Sequence, residues 1–313
     1  MATTQERTDQ SIEPGQQRTE DKHRSLWSDV WRQFRRHKGA MVGLVMLGII
    51  VVGSYFGPFF WPKDPFAIDT SLANLPPSWE FPFGTDNLGR DTLARVMVGG
   101  RISLSVGITA MLLSVFIGTA IGILAGYFRW LDGWLMRFTD LFLALPILPL
   151  LLVIIMLFRD TLRNQFGPEL GIFLLVVFII GITSWMQTAR IVRGEVLSVK
   201  EEEFVLAANS IGTRKRNVIF RHVLPNVLSP VMVAAALGVA VAIITESALS
   251  FLGLGFPSDF PTWGRLVTDA KDTLQITPAR VIWPGMLISL TVISVNFIGD
   301  GLRDALDPRL RSR

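Results

Sequence analysis

The chain has 313 residues, half of them hydrophobic and only 18% charged, where soluble domains carry about a quarter charged residues. It contains no cysteine, which excludes disulfides, thiolate chemistry and cysteine-ligated metal. The formal net charge is only +4, and the basic residues flank apolar runs, so membrane topology accounts for them and a nucleic-acid partner is not implied.

In chain order, residues 1–25 are polar, rich in Gln, Thr, Glu and Arg, and without apolar period, the pattern of a disordered tail. Over 26–38, Leu26, Trp27, Val30, Trp31 and Phe34 recur at helical spacing, with Arg32, Arg35, Arg36 and Lys38 on other faces. That predicts an amphipathic helix on the membrane surface or packed on its own bundle. The remainder, 39–311, divides into six apolar runs long enough to span a bilayer, at Gly39–Gly57, Ile102–Phe128, Phe138–Phe158, Leu170–Ala189, Asn226–Leu249 and Val281–Gly299. The expected fold class is therefore an all-α membrane protein with six transmembrane helices. Pro146 and Pro149 predict a kink in the third span. Gly118, Gly122 and Gly126 recur every fourth residue in the second, permitting close contact with a helix of the same chain or of a partner. Arg137 stands three residues before Asp140, the spacing of a helical ion pair. Glu246 falls near the end of the fifth span and is read as structural.

With the N-terminus inside, the inner segments hold 21 of the 30 Lys and Arg residues. The positive-inside rule then puts both termini and a loop at 190–225 in the cytoplasm, and a Pro-rich loop at 58–101 outside. In that outer loop, Thr85, Asp86 and Asn87 could open a helix and Gly84 and Gly89 allow tight turns. Asp86, Arg90, Asp91 and Arg95 read as alternating charges that pin the loop to itself, each exposed pair contributing roughly 0–1 kcal/mol.

The segment from Glu201 to Pro225, EEEFVLAANSIGTRKRNVIFRHVLP, is a polar island between two apolar runs. Ser198 and Glu201 have capping-box spacing, and Glu201, Glu202 and Glu203 suit the positive end of a helix dipole. Phe204, Ala207, Ala208 and Ile211 repeat at i, i+3, i+4 and i+7 and predict one apolar face. Gly212 is the expected helix stop, Thr213 a cap for a second helix through Phe220, and Pro225 the opening of the next span. The residue pattern admits both a plain hairpin between spans and a docking element.

The same segment resembles the cytoplasmic loop of importer permeases of the ATP-binding-cassette class, which reads E-A-A, three residues, Gly, nine residues, Ile, one residue, Leu-Pro. Ala207 and Ala208 fill the alanine positions, Gly212 the glycine, and Leu224 and Pro225 close the motif. Leu206 stands where the family has Glu, and His222 where it has Ile. The runs Glu246-Ser-Ala-Leu-Ser-Phe-Leu-Gly-Leu-Gly-Phe-Pro, Pro261-Thr-Trp-Gly264 and Gly299-Asp-Gly-Leu-Arg-Asp-Ala-Leu-Asp-Pro-Arg309 are similar to the dipeptide and oligopeptide branch. The resemblance implies an inner-membrane permease forming half of a translocation path for peptides, with nickel chelates, glutathione or sugars left open. It further implies a second homologous permease, two cytoplasmic ATPases, an external substrate-binding protein, and coupling through Phe204, Ala207, Ala208, Ile211, Gly212, Leu224 and Pro225.

There is no G-x-x-x-x-G-K-[ST] phosphate loop and no H-E-x-x-H pair, and His23, His37 and His222 are scattered. No catalytic, cofactor-binding or metal-ligating residue is assigned, and ATP hydrolysis is expected on partners. A membrane-embedded enzyme and a passive channel are the alternatives, distinguished from the permease by activity without ATP.

Overall fold

A computed structural model describes residues 26–306. The expectations for the tail 1–25 and for the run after Leu306 lie outside these residues. Eleven α-helices are described and no strand among those residues. They are α1 (Leu26–Arg36), α2 (Lys38–Phe60), α3 (Thr92–Tyr127), α4 (Arg129–Ala144), α5 (Ile147–Phe166), α6 (Pro168–Val199), α7 (Glu203–Ser210), α8 (Lys215–Val218), α9 (Leu224–Phe251), α10 (Trp263–Ala270) and α11 (Ala279–Leu306). Five of them, α2, α3, α6, α9 (with α8 as its foot) and α11, are long and apolar enough to cross a membrane, and the bent pair α4–α5 makes a sixth candidate.

The third span is not the single kinked helix expected. It is two helices meeting at 87°. Leu145 stands before Pro146 in the extended conformation (ψ 138°), because a proline ring disfavours helical geometry in the residue preceding it. α4 carries Arg129, Asp132, Arg137 and Asp140, whereas α5 is apolar from Ile147 to Phe158 before Arg159, Asp160 and Arg163.

The central seam joins α3 and α6. Gly118, Gly122 and Gly126 face Thr188, Val192 and Val196, and a Cβ at any of the three glycines would fall within 2.7 Å of a side-chain carbon of α6. The four-residue glycine repeat thus serves a contact within the chain. α9 and α11 close the bundle, and Gly299 lies against Leu237 of α9. α1 packs on its own bundle through Phe34, buried with Ala40 and Ala305, while Trp31, Arg32, Arg35 and Arg36 are exposed. His37 caps α2 by accepting the Ala40 N–H at 2.9 Å.

Helices also run past the expected span ends. α2 continues through Pro58 to Phe60, α3 begins ten residues before Ile102, and α6 extends to Val199, so Arg190 and Arg193 are helical residues and not part of a loop. α3 starts at Thr92, not near Thr85. Its N-cap is Asp91, whose carboxylate accepts the Ala94 N–H at 2.8 Å.

The seam sets a testable limit. Gly122→Leu should lower the melting temperature of the detergent-solubilised protein, with overpacking costing roughly 1–3 kcal/mol or more. Gly48→Leu, at a glycine with no heavy atom within 4 Å of a Cβ, should leave it unchanged. Equal melting of the two variants would remove the seam from the fold's foundations.

Candidate functional site

The bundle has two polar ends. At one, α7 lies across the tips of α6 and α9. Val205 and Ala208 point inward and join Val192, Val196 and Val199 of α6, Val218 and Val223 of the following foot, and Val227 and Val231 of α9 in one buried cluster. The expected single apolar face is therefore split. Ala208 is 7% exposed and packs inside, whereas Phe204, Ala207 and Ile211 are exposed, Ile211 at 83%. Leu206 and Phe220 are exposed beside them. The sequence pattern missed the division because Val205 and Ala208 form their own i, i+3 pair, which only the valines at 192, 196 and 199 turn inward. Those valines recur at helical spacing in the sequence and were the available signal.

α7 begins at Glu203 with Glu202 as N-cap and no side-chain cap. The capping box does not form, because Ser198 is still inside α6. At the other end, Gly212 has φ +75°, as a glycine stop requires. Its N–H bonds the Asn209 carbonyl, and the Thr213 N–H bonds that of Ala208 at 3.1 Å, a Schellman closure. Thr213 does not cap the second helix. α8 is capped by Arg214 without a side-chain bond and runs through a π turn, Ile219–Val223, straight into α9. In that turn the Leu224 N–H reaches back to Ile219. The wider turn precedes Pro225, whose ring would crowd the Arg221 carbonyl in a regular α-helix. Leu224 packs partly against the valine cluster, and Pro225 is exposed.

Two ion pairs brace this end. Arg193 of α6 makes a two-pronged contact with Asp132 of α4, Nε–Oδ1 at 2.5 Å and Nη2–Oδ2 at 2.7 Å. Arg190 Nη2 lies 2.5 Å from Asp140 Oδ1. Asp140 thus pairs with a helix fifty residues away and not with Arg137. Lys200 Nζ donates to the Gly126 carbonyl at 3.4 Å.

The opposite end is closed by buried charges. Asp86 accepts from Arg90 Nε at 2.6 Å and Arg95 Nη1 at 3.1 Å, and from the N–H groups of Leu88 and Arg90. Arg95, only 1% exposed, also donates to the Ser258 carbonyl and approaches Asp269. The expected loop-pinning charges are therefore buried, not exposed, and reach into α10. Burial pushes the Asp269 carboxyl above its usual range, against the opposing pull of Arg265 and Arg90. Glu246 is fully buried and accepts hydroxyl hydrogen bonds from Ser103 at 3.1 Å and Ser250 at 2.7 Å. Ser103 in turn accepts the Trp263 N–H, so Glu246 ties α3, α9 and the Pro261–Gly264 turn together.

Between α6 and α9, with Met111 of α3 behind and the α4–α5 elbow at one side, lies an open cleft of about 540 Å³. Its walls are apolar apart from Thr183, Ser184, Gln187, Thr188 and Thr245, and no charged side chain lines it. Thr183 and Thr245 bond their own helix carbonyls at 2.7 and 2.8 Å, while Gln187 is exposed.

An all-helical bundle with several apolar spans, an open cleft between two of them and a structured reversal at one polar end defines a multi-pass membrane protein. Residues 118–312 match the family described as the binding-protein-dependent transport system inner membrane component, and residues 25–77 match the N-terminal transmembrane domain of oligopeptide transport permease C. The chain belongs to this family of inner-membrane transport components. It is 36% identical over 303 residues to the dipeptide transport system permease protein DppC of Alkalihalophilus pseudofirmus, covering 96% of each chain. It is 40% identical over 291 residues to the oligopeptide transport system permease protein OppC of Haemophilus influenzae, covering 92% of this chain and 90% of the relative. The glutathione transport system permease protein GsiD of Pectobacterium atrosepticum is 36% identical over 292 residues, 92% of this chain and 93% of the relative.

Gly212→Val should strain the reversal by about 1–3 kcal/mol, since a β-branched residue resists positive φ. Gly212→Asn should be tolerated far better. A Cβ at Gly212 meets nothing within 4 Å, so the effect is purely one of backbone conformation. Limited proteolysis of the 201–225 segment in membranes measures it, and equal cleavage rates in both variants would contradict this account.

Proposed function

We propose that this chain is a permease subunit of an ATP-driven peptide importer, working with a second homologous permease, two ATPases and an external substrate-binding protein. The observation that carries the reading is the α7 reversal. A short helix is held from behind by a valine cluster and presents Phe204, Ala207 and Ile211 outward among charged residues. Exposed apolar side chains grouped on an aqueous face fit a protein partner. The names of the relatives, dipeptide, oligopeptide and glutathione permeases, support short peptides as the cargo.

In this reading the Lys and Arg bias puts α7 and both termini in the cytoplasm, where the ATPases reside. ATP binding draws the ATPases together, the docking helices follow, and the cleft between α6 and α9 passes from inward-open to outward-open. The cleft is this chain's half of the path. Ser184, Gln187 and Thr245 suit peptide N–H and C=O groups, and a polar cluster at membrane depth belongs on a water-filled face and not against lipid. A passive channel would instead carry solute without ATP, and a membrane-embedded enzyme would convert it.

Docking is tested on the exposed residues. Ala207→Asp and Ile211→Asp should still insert but should lose ATPase co-purification and at least about tenfold of uptake, a change worth about 1.4 kcal/mol of coupling or more. Ala208→Asp is a different experiment, because it places a charge in the valine cluster and should unfold the reversal itself. Wild-type ATPase retention and uptake in both exposed variants would refute docking.

The absence of cysteine makes labelling direct. In whole cells a membrane-impermeant maleimide should modify Asp69→Cys, whereas Arg214→Cys should react only after permeabilisation. In the assembled transporter Ser184→Cys and Gln187→Cys should react with the hydrophilic reagent, whereas Phe116→Cys, exposed on α3 away from the cleft, should not. Reversed labelling at 69 and 214 would invert the orientation. Silence at 184 and 187 would move the path elsewhere.

A further inference from the structure

We propose that Asp132 and Asp140 of α4, together with Arg193 and Arg190 of α6, are positioning residues that make α4 a strut carrying movement of the docking reversal to the wall of the cleft. The inference rests on the permease reading above and adds a route within this chain.

α4 buries little of its own surface. Thr139 is the only buried residue among its sixteen. Its aromatic side chains largely face away from the bundle, with Trp130 and Trp134 at 73% and 75% exposure. α4 is fixed on α6 by Phe138 and Phe142 against the Trp185 ring, by Leu143 packed with Phe142 on the Trp185, Met186 and Ala189 cluster, and by the two Arg–Asp pairs, of which Arg190–Asp140 is the more exposed. Arg193 grips Asp132 near the start of α4 and Arg190 grips Asp140 near its end, so the helix is clamped at two points about two turns apart. A planar guanidinium meeting a carboxylate through two nitrogens fixes orientation as well as distance.

The two arginines occupy the last turns of α6, directly before the reversal. The same stretch supplies Val192, Val196 and Val199 to the cluster that seats Val205 and Ala208 of α7. α7 therefore cannot shift without taking this end of α6 with it. A further tie comes from the reversal itself, because Lys215 Nζ lies 5.8 Å from the Phe128 ring centroid, at the residue that caps α4. At its far end α4 breaks at Leu145–Pro146, and Phe142, Leu143, Leu145 and Ile147 of that elbow line the cleft. Docking face, α6 tip, paired charges, α4, elbow and cleft form one contiguous chain of contacts. The paired charges are the directional link in that chain, beside the packing of Phe138, Phe142 and Leu143 on α6.

The test uses the full transporter in proteoliposomes, with uptake of a radiolabelled dipeptide and ATP hydrolysis measured together. Asp132→Asn, Asp132→Arg and Arg193→Asp should insert and retain the ATPases, because the exposed α7 face is untouched. They should lose about tenfold in peptide carried per ATP hydrolysed. Combining Asp132→Arg with Arg193→Asp restores an ion pair of opposite sense and should recover at least half of the coupling. A merely stabilising pair would lower the amount of inserted transporter and leave the ratio of transport to hydrolysis unchanged. The proposal is overturned if the single variants couple normally, if uptake falls only in parallel with loss of the ATPases, or if the charge swap is no better than the singles. If the wild-type transporter itself shows no ATP-dependent peptide uptake, the permease reading fails and the strut fails with it. Wild-type uptake alongside normally coupled variants removes the strut alone.

Discussion

Everything else in this structure depends on how closely α3 and α6 approach. In a bilayer there is no hydrophobic gain from bringing two apolar helices together, since lipid tails are as apolar as leucine, so association rests on van der Waals fit. Three glycines at a four-residue period give α3 a flat groove, and Thr188, Val192 and Val196, also four apart, give α6 the matching ridge. The ridge is β-branched and stiff, which lowers the entropy lost on packing. Once the seam is closed, the tip of α6 lies beside the end of α3. The chain leaving α3 at Tyr127 then has only Phe128 to turn with before α4 lies across α6. The positions of the ion pairs, the reversal and the cleft all follow from that seam.

The two ends of the bundle solve the problem of exposed helix termini in opposite ways. At the α10 end, charges are drawn inside: Asp86, Arg90 and Arg95 are buried and Asp269 half-buried, Asp86 accepts from both arginines, and Arg95 Nε and Asp269 Oδ2 are left without a hydrogen-bond partner. Such networks add little net stability compared with apolar packing, but losing one partner leaves an uncompensated charge, so they enforce one arrangement of the loop over α3. At the α7 end the interior is nearly all valine and the charges stand outside. A cluster without polar atoms imposes few directional constraints.

Much of this was legible in the sequence. Apolar run length located the spans, because a bilayer imposes a minimum length on any helix that crosses it. Gly84, Gly89 and Gly212 were marked as turn residues and all have positive φ. What was not legible is long-range. Asp140 has Arg137 at a suitable local spacing, yet Arg190 reaches it from another helix, and nothing near Asp140 in the sequence encodes that. Ala208 shares the i+4 register of Phe204, but the valines of α6 decide which side is covered. Pro146 predicted a kink, and the structure shows a full break of 87° at the extended Leu145 before it. Ser198 has capping spacing but lies within α6, which runs on to Val199. Local pattern located the elements and the reversal. Which faces are buried, and which charges pair, required the tertiary contacts.

The cleft adds a last constraint. A charged side chain there would attract an oppositely charged solute and repel a like-charged one. Hydroxyls and one amide do neither. Thr183 and Thr245 already spend their protons on helix carbonyls, leaving mainly acceptor capacity, while Gln187 offers both donors and an acceptor. Such a wall can exchange hydrogen bonds with a peptide backbone of any sequence and hold none of them tightly. Weak, sequence-tolerant contact is what passage requires, since a solute that binds deeply in the path must be released again at the same energetic cost. In the reading proposed above, selectivity and driving force then lie outside this cleft, whose lining carries no charge.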